Sequence, residues 1–268
     1  MIQAIKKIIQ NPKKYYPNAK TFFRYAKMAV KKAVPKFSLL EDVKKKIHHR
    51  NSVAFYKKII KKDGALVFDV GANIGMKTEF FREAGARVVS VEPQPDYAAY
   101  LRVKFSNDKK VTVEQCGLGE AEGEETLHIS SKYPGFSSFH EDWQAGTKYH
   151  AFDKTEKVKI RTIEYLIQKY GMPVFCKIDV EGFEPQVFSG LKSKIPMLNF
   201  EFHSNDPVLA KKCVEKLTQI GFTEFNFTEE ENTFFTESEW LNPNELWSKI
   251  RALSEKKEAI LWGDIYAR

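Results

Sequence analysis

Cysteine is scarce: the 268 residues hold three, Cys116, Cys176 and Cys213. They are odd in number and form no CxxC pair, which argues against a disulfide framework and fits reduced thiols in a cytosolic compartment. Cys176 lies in an apolar stretch and reads as a small buried hydrophobe, not a nucleophile. No uncharged apolar run approaches ~18 residues, so no transmembrane helix is expected. The N-terminus lacks even a ~7-residue apolar run, so no secretory signal is expected there. Acids are nearly missing from the first quarter of the chain. Residues 1–62 carry 18 Lys and Arg against 2 acids, and the other 206 carry 25 against 33. The overall charge of +8 therefore hides a basic N-terminal extension (residues 1–61) joined to a mildly acidic body (residues 62–268). Internal repeats are lacking, as are low-complexity tracts beyond the lysine clusters.

What is present is a folded composition, 43% hydrophobic and 13% aromatic, long enough for one α/β domain with extensions. In the extension, Ile2, Ile5, Ile8 and Ile9 fall at helical spacing until Asn11-Pro12. A second amphipathic piece, Lys20 to Val34, sets Phe22, Phe23 and Val30 against lysines and stops at Pro35. These pieces read either as an attachment to an anionic membrane surface or as a helical cap on the domain. The expected localisation is cytoplasmic, with peripheral membrane association as the first alternative. A third helix, Leu40 to Lys61, is expected to carry Val43, Ile47, Phe55, Ile59 and Ile60 into the domain.

The body is organised around LVFDVGANIG, Leu66 to Gly75. A buried strand ends on Asp69. A small-residue turn, Gly71 to Gly75, then lets a ligand approach the backbone and feeds a helix with free N–H groups. The next strand, Arg87 to Val91, is followed by Glu92, 21 residues after Gly71, the position from which a carboxylate reaches an adenosine ribose. Strands Val111 to Gln115 and Val174 to Val180, with their intervening helices, continue a βαβ alternation that predicts a parallel sheet. Residues 120–157 break that rhythm and read as an insertion. It carries an antiparallel strand near Thr126 to Ser130 and the aromatics Tyr133, Phe136, Phe139, Trp143, Tyr149 and Phe152. Strand Met197 to His203 places Leu198, Phe200 and Phe202 on one face and Asn199, Glu201 and His203 on the other. Thr233 to Thr236 and Ala259 to Tyr266 compete for the last strand.

Chemistry-bearing residues collect at the carboxyl ends of these strands, where open α/β sheets bind ligands: Asp69, Glu92, Asp179, Glu181, Glu201 and His203. Lys177 shares a face with Asp179, and a lysine inside an apolar strand needs a partner. A structural ion pair is one reading of the two. Asp179, Glu181, Glu201 and His203 could instead hold a divalent ion such as Mg²⁺ or Mn²⁺, although their spacing is not a ligand motif and no metal is expected. His203 without metal is a candidate general base.

Four motifs, DVGANIG (Asp69 to Gly75), VEPQP (Val91 to Pro95), SSF (Ser137 to Phe139) and KIDVEGFE (Lys177 to Glu184), occur in an order that resembles the FkbM-type family of S-adenosylmethionine (SAM) dependent methyltransferases. The resemblance covers Lys62 to His203, about half the chain. It implies a Rossmann-like class I methyltransferase: a mostly parallel seven-stranded sheet, helices on both faces and one antiparallel strand. It also implies O-methylation of a hydroxyl on a sugar, glycan or other small molecule. On that basis Gly71, Asn73 and Gly75 surround the methionine part of SAM, Asp69 supports the turn and Glu92 holds the ribose. Gln115, where the family more often has Asn, and Leu118 line the adenine. Asp179 is the leading catalytic residue, with Lys177, Glu181, Glu201 and His203 around it. The basic N-terminus suggests RNA ribose methylation as a second activity to weigh, but no RNA module accompanies it. The same glycine turn would also serve a SAM-binding scaffold without turnover, or an NAD enzyme. NAD is disfavoured because GANIG lacks the third glycine of GxGxxG.

Overall fold

Short β-branched and aromatic runs, several of them stopped by a glycine or an acid, build the centre of the computed structural model, which describes residues 39–132, 135, 137–141, 152–256 and 261–268. Helix α1 (Leu39–Ile60) leads into β1 (Leu66–Val70), α2 (Met76–Glu83), β2 (Arg87–Val91), α3 (Pro95–Lys104) and β3 (Val111–Glu114). There follow β4 (Gly117–Leu118), β5 (Gly123–Ile129), β6 (Lys154–Arg161), α4 (Ile163–Tyr170), β7 (Phe175–Ile178) and α5 (Glu184–Ser189). The chain closes with β8 (Leu198–His203), α6 (Pro207–Ile220), β9 (Phe225–Glu229), α7 (Pro243–Lys256) and β10 (Trp262–Ala267). The expected helices at residues 2–10 and 20–34, and Tyr133, Phe136, Trp143 and Tyr149, lie outside the described residues.

Seven strands form one sheet in the order β3-β2-β1-β7-β8-β10-β9. Six run parallel, and β10 enters antiparallel between β8 and β9. One face packs α4, α5, α6 and α7 over Phe68, Ile178, Leu198, Phe200 and Phe202. On the other, Phe55, Tyr56 and Ile60 of α1 and Phe80 and Phe81 of α2 cover Val67, Val88, Phe175 and Tyr266. The alternation expected for β8 holds. Phe200 and Phe202 are buried among apolar side chains, while Glu201 faces Asp264 across the antiparallel ladder.

One expectation is corrected, and the choice between the two candidate last strands is decided. Val43 and Ile47 of α1 remain 44% and 50% exposed, because the helix meets the core from His48 and His49, whose rings pack on Phe80, onward. Residues 233–236 are not a strand. Phe235 packs edge-on against Tyr266 and Trp240, Phe234 stays exposed, and the six residues of β10 take the position with ladders on both sides. β5, inside the expected insertion, pairs antiparallel with Lys154–Ile160 of β6, and with β4 the two form a second, three-stranded sheet.

The two motif turns meet at the centre. Asp179 N donates to Val70 O at 3.0 Å, and a Cβ on Gly71 would sit 1.7 Å from Asp179 O. Gly71 also has φ +78°, so both the space and the backbone demand glycine. Gly71→Ala should therefore cost about 3 kcal/mol or more, from overpacking plus left-handed strain. Urea unfolding of the variant measures it, and a loss below about 1 kcal/mol would contradict the contact.

Candidate active site

Glu92 follows β2 and is 5% exposed. Its Oε2 accepts the Asn73 N–H at 2.7 Å and its Oε1 accepts the Gln94 N–H at 2.8 Å. Both oxygens are thereby fixed, with a second lone pair each left for another donor. Burial pushes the carboxyl up to about 7, against the pull of those two amides. Asn73 takes a left-handed conformation, φ 49°, and its Oδ1 accepts the Ile74 N–H at 2.7 Å. Asp69 is buried and does not cap the helix backbone. Its Oδ2 accepts from Thr78 Oγ1 at 2.5 Å, and Thr78 Oγ1 is 2.9 Å from Ser90 Oγ, so three polar side chains bind β1, α2 and β2 beneath the turn. Lys104, from α3, donates to Ile74 O at 2.8 Å; the motif reading missed it, since only the fold brings α3 beside the turn.

Gly71, Asn73, Glu92, Leu118, Asp179 and Glu181 line one open cleft. Gly75 stands behind this wall, where a Cβ would meet Leu101 Cδ2 at 2.6 Å. The cleft's apolar wall also includes Tyr97, Cys116 and Phe139, which the sequence analysis did not assign to the cofactor. Gln115 is placed elsewhere: its Oε1 accepts from Arg102 Nη1 at 3.0 Å, and it is absent from the cleft wall. The backbone leaves β3 at Glu114, and the following residues, Cys116 to Leu118, turn into the cleft instead.

Lys177 is 3% exposed and donates to Asp179 Oδ2 at 2.7 Å. Burial opposes its charge, but Asp179 and Asp264 outweigh burial and hold the ammonium well above its ordinary value. One carboxylate oxygen from each of Asp179, Glu181 and Glu201 lies within 4.8 Å of the others. His203 is not part of that group; its Nε2 lies 3.2 Å from Glu201 Oε2. Burial and the charge of Asp179 raise Glu201. Burial lowers His203, but its contact with Glu201 outweighs this and leaves the imidazole above its usual value. Three acids, one buried cation and one imidazole thus converge at the carboxyl ends of β7 and β8. Glu184 lies outside the cleft. Its Oε1 accepts from Val180 N at 3.1 Å and Gly182 N at 3.4 Å, closing the turn that presents Glu181.

This sheet order, with a buried acid after β2 and a glycine turn after β1, defines a Rossmann-like class I methyltransferase fold. The chain belongs to the methyltransferase FkbM domain family, whose sequence profile matches residues 69–242. By family and fold it is a SAM-dependent methyltransferase. Similar solved structures include a TehB-like SAM-dependent methyltransferase from Corynebacterium glutamicum (11% identity, TM-score 0.45, 93% of this chain and 99% of that one). Another is Aeropyrum pernix fibrillarin with natively bound S-adenosyl-L-methionine (10%, TM-score 0.44, 82% and 74%). A third is precorrin-6y C5,15-methyltransferase from Geobacter metallireducens (14%, TM-score 0.42, 81% and 86%). No curated protein matches the chain in sequence. Among the described residues no helix is long and apolar enough to cross a membrane.

Glu184 gives a pH signature. Burial raises its carboxyl from 4.5 to about 7. A buried acid with a raised value stabilises the fold while protonated, fully below the unfolded value of 4.5, and loses that contribution as pH climbs to about 7. Glu184→Gln keeps an acceptor for the turn but cannot ionise. Thermal unfolding should show the variant more stable than the parent by about 1–3 kcal/mol near pH 8 and little different near pH 4. Equal differences at both pH values would contradict the burial argument.

Proposed function

We propose that the protein transfers the methyl group of SAM to a hydroxyl of a neutral sugar, glycan or similar small acceptor. The observation that carries this reading is the acid-lined mouth of the cleft: Asp179 and Glu181 in its wall, Glu201 within 4.8 Å of both, and a buried lysine fixing Asp179. Carboxylates accept hydrogen bonds from hydroxyls and repel phosphodiesters, so this mouth suits a polyhydroxyl acceptor better than RNA. The body beyond residue 62 is net acidic as well.

The cleft fits the cofactor on its own features. The missing Cβ of Gly71 leaves the turn close to the Asp179 backbone, Glu92 keeps free lone pairs for two ribose hydroxyls, and Leu118, Tyr97 and Phe139 offer apolar surface to the base. When bound, SAM supplies an electrophilic methyl on a sulfonium. The protein's part is alignment and proton removal. Lys177 holds Asp179 Oδ2, leaving Oδ1 to orient the acceptor hydroxyl. Bound SAM would be the electrophile toward which that hydroxyl oxygen is aligned. The hydroxyl proton passes to the Glu201–His203 pair, whose carboxylate stabilises the imidazolium. Lys177 serves as the cation of the acid cluster, so this mechanism calls on no metal.

Calorimetry tests the cofactor half. S-adenosylhomocysteine should bind in preference to NAD, and Glu92→Ala should weaken it by about 1.5–3 kcal/mol. Unchanged affinity in a folded variant would move the ribose elsewhere. Radiolabelled SAM offered with neutral sugars, lipid-linked sugars and RNA tests the acceptor half. Transfer to sugars, unaffected by a chelator, is expected; transfer to RNA alone would overturn the assignment.

A further inference from the structure

Glu181 is a non-glycine residue in the left-handed region, φ 52°; it lines the cleft, and one of its carboxylate oxygens lies within 4.8 Å of one from Asp179. Such a backbone persists only where its surroundings over-determine it. Two holds are visible. From its own side, Glu184 ties the amides of Val180 and Gly182. From across the cleft, Ser138 Oγ donates to the Glu181 carbonyl at 2.8 Å, 43 positions away in sequence. Ser138 is fully buried and is itself fixed. Its N–H and C=O pair with His128 of β5 at 3.0 and 2.8 Å, and its Oγ accepts the His140 N–H at 3.1 Å. The adjoining residues clasp the same turn: the rings of Phe139 and His140 lie 5.0 and 5.2 Å from that of Phe183. Gly135 approaches the other motif turn, where a Cβ would come 3.3 Å from Asn73 Nδ2.

We infer that Ser138 is a positioning residue: through its hydrogen bond to the Glu181 carbonyl, the small sheet aims the Glu181 carboxylate into the cofactor cleft. This rests on the cleft binding SAM. The carboxylate's position then matters most where charge differs between ligands. A sulfonium is cationic and its thioether product is neutral, so an acid held in the cleft wall favours SAM over S-adenosylhomocysteine.

The test needs no acceptor. Calorimetry gives the ratio of SAM to S-adenosylhomocysteine affinities in the full-length protein, in Ser138→Ala, in Glu181→Gln and in the double variant. Ser138→Ala should cut the preference for SAM about threefold or more when Glu181 is present, and by less than about twofold in the Glu181→Gln background. A merely structural serine would weaken both ligands together and leave the ratio alone, which would overturn the inference, as would an equal change in both backgrounds. Should Ser138→Ala fail to fold, the near-isosteric Ser138→Cys, a weak donor, takes its place with the same reading. Failure of the parent protein to bind either ligand would instead contradict the cofactor assignment.

Discussion

Everything at this site depends on one backbone contact. Gly71 lies so close to the Asp179 carbonyl that no side chain fits between them, and Asp179 N completes the parallel ladder onto Val70. Adjacent strands β1 and β7 thereby deliver two turns of opposite purpose to one point. The first, ending at Gly75, brings Gly71 and Asn73 into the cleft wall, with Asn73 N–H tied to Glu92. The second, running from Asp179 to Gly182, delivers acids. The contact fixes their separation more firmly than any side-chain hydrogen bond could, because backbone has nowhere to yield.

Charge is arranged to suit that geometry. Buried acids at strand ends are costly unless satisfied, and each here has a different means of satisfaction. Glu92 takes two backbone amides, Asp69 takes a threonine hydroxyl, Asp179 takes a buried lysine and Glu201 takes a histidine. The partners sort the acids by role. Amide-bound Glu92 is rigid and oriented for recognition. The group around Asp179 combines acids, a cation and an imidazole, a set suited to orienting a hydroxyl and accepting its proton.

Much of this was legible in the sequence because it is local. The glycine turn, the 21-residue step to Glu92 and the two-residue step from Lys177 to Asp179 follow from strand and turn geometry within short windows. The face shared by Glu201 and His203 follows from the period of a strand. What escaped is long-range. The pairing of β5 with β6 brings together the two ends of the insertion, and Ser138, bridged to His128 of β5, meets Glu181 from 43 positions away. Lys104 reaches the glycine turn from another helix. Gln115 lies away from the cleft for a different reason: β3 ends at Glu114, and the turn that follows brings Cys116 to Leu118 to the cleft wall. The exposure of Val43 and Ile47 shows that helical periodicity marks a face without saying how far the core extends beneath it.

The central claim is that the Gly71–Asp179 junction joins a cofactor cleft to an acid-lined acceptor mouth. A crystal structure of the full chain with S-adenosylhomocysteine tests it most directly. The account predicts ribose hydroxyls on Glu92, the methionine portion along Gly71 to Asn73, and the sulfur facing Asp179 and Glu181. A ligand with its ribose away from Glu92, or with its sulfur turned from Asp179, would contradict it.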